Sequence, residues 1–101
     1  MSKISTRQVT HLVRYRVERA LRALDGGQVD EAQESARRAG QYVRVLRSMT
    51  SDPDLLQRCQ SLEELLRDAL RGLQLQDEAA EDYLDFALAE TGVTLRSLPE
   101  A

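Results

Sequence analysis

Apolar residues recur three and four positions apart in four stretches of this chain, and that spacing restricts its fold more than any other feature. A period near 3.6 lays such residues along one side of an α-helix, whereas a half-buried strand needs strict alternation. The first stretch reads Val9, Val13, Val17, Ala20 and Leu24, with Leu12 and Leu21 widening the stripe. The second reads Val29, Ala32, Ala36, Ala39, Val43 and Leu46. Leu55, Cys59, Leu62, Leu66, Ala69, Leu70 and Leu73 form the third, and Ala80, Tyr83, Leu84, Ala87 and Leu88 the fourth. Strand-forming material is scarce, with only four aromatics and few runs of Val or Ile. Leu, Arg, Ala, Glu and Lys together supply 50 of the 101 residues, a composition typical of long helices. The predicted fold is all-α: one domain over 1–101, a small antiparallel helical bundle of three long helices plus a shorter fourth helix.

Local signals set the boundaries. Ser5 and Gln8 fit a capping box and Ile4 a staple onto Val9, which places the first helix at 4–25, closed by Asp25-Gly26-Gly27. The second helix is placed at 28–49. Its three successive alanines let another backbone approach closely, so this face is expected against the first helix in an antiparallel hairpin. Gly40, Val45 and Met49 lie off the alanine line and are expected to meet a third element. Asp52-Pro53-Asp54 is a start signal for a helix over 52–75, with Gly72 a candidate exit. A fourth helix is placed at 78–91, with Gly92 as terminator and Val93 folding back on Leu88. Residues 93–101, which include Pro99, are then expected to form an extended tail.

The junction Gly27-Gln28-Val29-Asp30-Glu31-Ala32, within Leu21–Ala39, resembles the helix-turn-helix junction of a tetratricopeptide repeat. Ala20, Ala32 and Ala39 match that family's small-residue positions, but Arg16 stands where a large aromatic belongs. No Pro closes the unit and no second repeat follows, so the likeness is one of packing logic.

Charge is strongly polarised. Residues 1–24 carry six basic side chains against Glu18, residues 25–51 balance, and residues 52–77 and 78–101 carry net charges of −3 and −5. Either the first and last helices are neighbours with charges paired across their seam, or one end docks a partner of opposite sign. Arg7, Arg14 and Arg22 lie with His11 and Tyr15 on one side of the first helix. They form a candidate polyanion-binding face in which arginines contact phosphates and an aromatic stacks on a base. The acidic half of the chain opposes that use.

Chemistry-bearing residues are few. One Cys and one His exclude a zinc motif, and the stripe position of Cys59 makes it a small core hydrophobe with a raised thiol pKa. Glu78, Glu81, Asp82 and Asp85 read as a solvated acidic face; no metal and no cofactor is expected. The residues point away from an enzyme. No apolar run approaches the roughly 18 residues of a membrane helix, and none follows Lys3 and Arg7 as in a secretory leader. The single cysteine points to a reducing compartment, so the expected location is cytoplasmic. The third helix offers more leucine than one seam uses. The predicted function is therefore a non-enzymatic protein–protein interaction module: an adaptor, small chaperone or regulatory subunit. It would present an apolar groove around Leu56, Leu65, Leu75 and Phe86 to a partner or, as a homodimer, to a second copy. The alternative is a nucleic-acid-associated regulator using the basic face of the first helix.

Overall fold

The computed structural model describes residues 3–99. Four helices fill them: α1 (Thr6–Asp25), α2 (Val29–Ser48), α3 (Pro53–Gln74) and α4 (Ala79–Ser97). The capping box at α1 is complete, with Ser5 Oγ accepting from Gln8 N at 3.0 Å and Gln8 Oε1 accepting from Ser5 N at 2.8 Å. At α3, Asp52 Oδ1 accepts from Asp54 N at 3.0 Å with Pro53 opening the helix. Both satisfy backbone donors that a helix start leaves unpaired.

The ends of α1 and α3 share one device. Gln28 N donates to Ala23 O and Gly27 N to Leu24 O, while Asp77 N donates to Gly72 O and Gln76 N to Leu73 O. These are Schellman pairs, each needing a left-handed residue. Gly27 supplies it after α1 with φ 75°, and Gln76 supplies it after α3 with φ 54°. Gly72 is not the exit of α3; the helix runs on to Gln74.

The fourth helix is not short. It continues through Gly92 to Ser97, so it is about as long as α1, and the expected Gly92 stop and extended tail are replaced by helix. The reason lies in two threonines and a leucine beyond Leu88. Thr91, Thr94 and Leu95 are buried and extend the three-and-four spacing that began at Ala80. Thr91 Oγ1 donates to Leu88 O and Thr94 Oγ1 to Glu90 O, which removes the cost of burying a hydroxyl. The helix ends where Leu98 turns to extended backbone ahead of Pro99, as a residue before proline prefers. Glu100 and Ala101, the last residues of the expected tail, lie outside the described residues.

Short connections make successive helices antiparallel, and the packed pairs are α1–α2, α2–α3, α3–α4 and α1–α4. The helices therefore form a closed ring of four around one core. Val9, Val13, Val17, Ala20, Ala32, Ala36, Ala39, Val43, Leu46, Leu55, Cys59, Leu62, Leu66, Leu73, Leu84 and Ala87 are among its buried residues. The stripes read from the sequence thus supply the core, except that Leu12, read as widening the first, is exposed, and Val29, at the start of the second, is only half-buried. Val45 and Met49, expected against a third element, instead face outward. Ile4 is also left mostly exposed rather than stapled over Val9.

Two glycines separate close packing from open space. A Cβ on Gly72 would sit 3.0 Å from Ala80 Cβ and 3.2 Å from its Cα, so α3 and α4 touch there backbone to backbone. A Cβ on Gly40, in the middle of α2, meets nothing within 4 Å. Gly72→Ala is expected to destabilise the fold by about 1–3 kcal/mol through overpacking. Gly40→Ala is expected to stabilise it by roughly 0.5–1 kcal/mol by removing backbone freedom from the unfolded chain. Urea denaturation midpoints of the two variants check both signs.

Candidate protein-interaction face

Seven large apolar side chains are exposed, and five of them (Ile4, Leu12, Tyr15, Val45 and Met49) belong to α1, its leading segment and the end of α2. Helical spacing puts them beside one seam. On α1, Leu12, Arg16, Arg19 and Ala23 recur every three or four residues; on α2, Glu31, Ser35, Arg38, Tyr42, Val45 and Met49 do the same. A hollow lined by Arg19, Ala23, Glu31 and Ser35 fixes which flanks face each other and in what register. Followed two turns toward the start of α1, that antiparallel register brings Leu12 level with the half-buried Tyr42. Val45 and Met49 then continue toward Ile4. One end of the outer α1–α2 face is therefore apolar and the other charged.

Tyr15 is held in place on this face. The guanidinium carbons of Arg16 and Arg19 lie 5.6 and 5.8 Å from its ring centroid, and Arg19 Nη1 donates to its hydroxyl at 3.1 Å. That hydrogen bond, helped by the surrounding positive charge, lowers the Tyr15 pKa. An aromatic ring fixed among arginines has the composition of a protein-interface core rather than of ordinary surface.

The three arginines of the basic face have different fates. Arg7 Nη1 donates to Leu95 O at 3.1 Å, tying the start of α1 to the end of α4. Arg14 bonds Glu18 at 3.0 Å within its own helix. Among the described residues Arg22 forms no ion pair. The α1–α4 seam exists, yet no ion pair crosses it among the described residues, so the charge polarity of the chain is not cancelled there.

Leu56, Leu65, Leu75 and Phe86 are not gathered into one groove. Leu56 is half-buried on the α2–α3 side, where it lines a hollow with Arg47 and Glu63. Leu65 is half-buried and packs on the core from the α3–α4 side. The Gly72–Ala80 contact and the Arg58–Glu90 ion pair set the α3–α4 register, and midway between them Leu65 is level with Asp85 and Phe86. Phe86 is 59% exposed, and Leu75, in the turn after α3, is 69% exposed. The other leucines of α3 are mostly consumed by the core: Leu55, Leu62, Leu66 and Leu73 are buried.

The α2–α3 seam carries a trench of about 390 Å³ lined by Arg37, Gly40, Arg44, Leu66, Arg67 and Leu70. It shares Glu63 and Arg67 with the hollow beside Leu56. Arg47 Nη1 binds Glu63 Oε2 at 3.0 Å, while Glu63 Oε1 is buried with no partner.

Cys59 is fully buried, and its thiol is pushed up to about 11, first by burial and then by the nearby Glu63 carboxylate. A thiol so placed is neither accessible nor ionised near neutrality, which removes it as a nucleophile. His11 is exposed on α1. Among the described residues no group of three His, Cys, Asp or Glu side chains is arranged to hold a metal ion, and no helix is long and apolar enough to cross a membrane.

No family model, curated protein or solved structure matches this chain. The outer α1–α2 face was not among the sites expected from the sequence, although a signal for it exists. Val45 and Met49 fall off the alanine stripe of α2, and Leu12 sits at the edge of its own. Read together, these marked an apolar flank rather than a third packing partner.

The buried thiol gives a direct check. A thiol reagent at mildly alkaline pH is expected to label Cys59 only as the protein unfolds, with native protein protected. The folded state holds the thiol proton above its ordinary pKa of 9.0. The thiol's contribution to stability is therefore intact below that value and lost as pH rises through about 11. Cys59→Ala is expected to flatten that alkaline decline in denaturant titrations.

Proposed function

We propose that this chain is a non-enzymatic protein-interaction module, of the adaptor, small-chaperone or regulatory-subunit kind, that docks a partner protein on the outer α1–α2 face. The observation that carries this reading is the concentration of exposed Leu12, Tyr15, Val45, Met49 and Ile4 on a single face. Scattered apolar residues are normal on any surface; a clustered set rimmed by charge marks an interaction site. The rim on α1 is basic, with Arg16, Arg19 and Arg22 against Glu18. The partner it fits is an amphipathic helix whose apolar ridge is flanked by carboxylates, laid along the seam between α1 and α2.

The same face supports a second reading, a nucleic-acid contact, on one observation: Tyr15 sits among arginines and so offers a stacking ring beside phosphate-binding groups. Against it, Arg7 and Arg14 are already engaged within the fold, and the remaining chain is acidic.

The test is binding to a panel of acidic amphipathic helical peptides, read by fluorescence anisotropy, beside a mobility-shift titration with single- and double-stranded nucleic acid at two salt concentrations. Saturable peptide binding is expected, weakened at least about tenfold by Tyr15→Ser with Val45→Ser, a scale set by loss of a central aromatic anchor. Phe86→Ser is expected to leave it unchanged. Nucleic-acid binding that falls steeply with salt, without peptide binding, would move the face to the second reading. Binding of neither would sink both.

A further inference from the structure

The α2–α3 trench has a feature the docking face does not explain. Its lining holds three arginines, Arg37, Arg44 and Arg67, against one carboxylate, Glu63, which Arg47 already pairs. The Arg47–Glu63 ion pair fixes the antiparallel register of α2 and α3. Three residues along each helix from that pair, Arg44 is level with Leu66 and thus beside Arg67. Among the described residues neither Arg44 nor Arg67 forms an ion pair. Arg37 stands at the same trench and is bonded to Glu34 at 2.9 Å. The floor between the arginines is apolar, from the half-buried Leu70 with Leu66 buried beneath it, and Gly40 leaves space that any side chain would fill. Guanidinium groups facing each other over a leucine floor fit a ligand that joins carboxylates to an apolar group.

The molecule carries such a ligand on α4. Glu78, Asp82, Asp85, Phe86 and Ala89 recur at helical spacing along its outer side, and all are exposed. Phe86 is 59% exposed, with Asp82 one turn before it and Asp85 adjacent. Among the described residues Glu78, Asp82 and Asp85 have no ion-pair partner. The same chain cannot bring the two surfaces together, because α4 packs on α1 and α3 and not on α2.

We infer that the α2–α3 trench receives α4 of a second copy of this chain, with Phe86 seated on the half-buried Leu70 beside Gly40 and with Asp82 and Asp85 paired to Arg44 and Arg67. The contact is heterologous: the trench and the outer side of α4 lie on different sides of the bundle. It therefore leaves a free trench at one end of an assembly and a free α4 at the other, and builds chains or rings rather than a reciprocal pair. None of its residues belongs to the α1–α2 docking face, so the two readings fail separately.

The experiment is sedimentation velocity of the full chain over a concentration series at low and high salt. The variants are Arg44→Ala/Arg67→Ala and Asp82→Asn/Asp85→Asn, with helicity and unfolding midpoint recorded to show that each is folded. Wild type is expected to form a series of growing species whose association weakens with salt. Each double variant is expected to associate about 2- to 30-fold more weakly, the scale of two exposed charge contacts. Mixed in equal amounts, the two variants are expected to form a species that stops at two subunits, because only one intact trench and one intact α4 remain. Tyr15→Ser with Val45→Ser is expected to associate as wild type does. The inference is overturned by a wild type that stays monomeric at low salt, by association that survives both double variants, or by a mixture that does not pair. Association abolished by Tyr15→Ser with Val45→Ser would overturn it too, moving the contact to the α1–α2 face.

Discussion

Small side chains let the helices of this bundle close on one another, and the rest of the architecture follows from that approach. Ala32, Ala36 and Ala39 line the buried side of α2 without a large residue between them, and α1 presents Val13, Val17 and Ala20 in return. The α1–α2 pair is the most extensive contact of the four. Between α3 and α4 the same role falls to Ala69, Gly72, Ala80 and Ala87, with Gly72 meeting the backbone of Ala80. Close-packed interiors tolerate little added volume, so these positions set the interhelical distances that every larger core residue must fit.

That geometry decides which apolar surface is left over. With the helices drawn in, α3 can bury Leu55, Leu62, Leu66 and Leu73 and half-cover Leu56, Leu65 and Leu70 within one protomer. The leucine excess of α3 is thereby mostly absorbed. What remains outside lies chiefly on α1 and α2, where Leu12, Tyr15, Val45 and Met49 stay part-exposed beside the tight alanine seam. Electrostatics point the same way. Among the described residues the α1–α4 seam is bridged by Arg7 and the Leu95 carbonyl rather than by ion pairs, so the net positive charge of α1 and the net negative charge of α4 are not neutralised by each other there.

The fold was legible because it rests on periodicity and caps, both of which are local. The stripes of α1, α2 and α3, the Ser5–Gln8 box and the Asp52–Pro53 start all appear where the residues place them. The end of α4 was not legible, because Gly92 reads as a stop and Thr91 and Thr94 read as polar. Their hydroxyls are in fact satisfied by the carbonyls of Leu88 and Glu90, a bond that exists only once the helix has formed. Gln76 was likewise silent, since a left-handed residue after α3 was sought in a glycine. The interaction face was half legible: Tyr15 and Arg22 stood out, with Arg7, Arg14 and His11, as a basic, aromatic side of α1, whereas the arginines that hold the Tyr15 ring are Arg16 and Arg19. Val45 and Met49 joined them only through the antiparallel register of α1 and α2, which no single helix encodes. Leu56, Leu65, Leu75 and Phe86 share an apolar character that helical projection detects, but Leu56 falls on the α2–α3 side, Leu65 and Phe86 on the α3–α4 side and Leu75 in a turn, which only the ring order of helices shows.

The central claim is that small residues hold the helices at their observed separation. Urea denaturation of Ala39→Leu tests it most directly, since Ala39 is fully buried in the middle of α2. The expected result is a loss of about 1–3 kcal/mol, or a failure to fold, because the added carbons must push α2 away from its neighbours. A stability equal to or above that of the parent chain would show that the core has room to spare and would contradict the account.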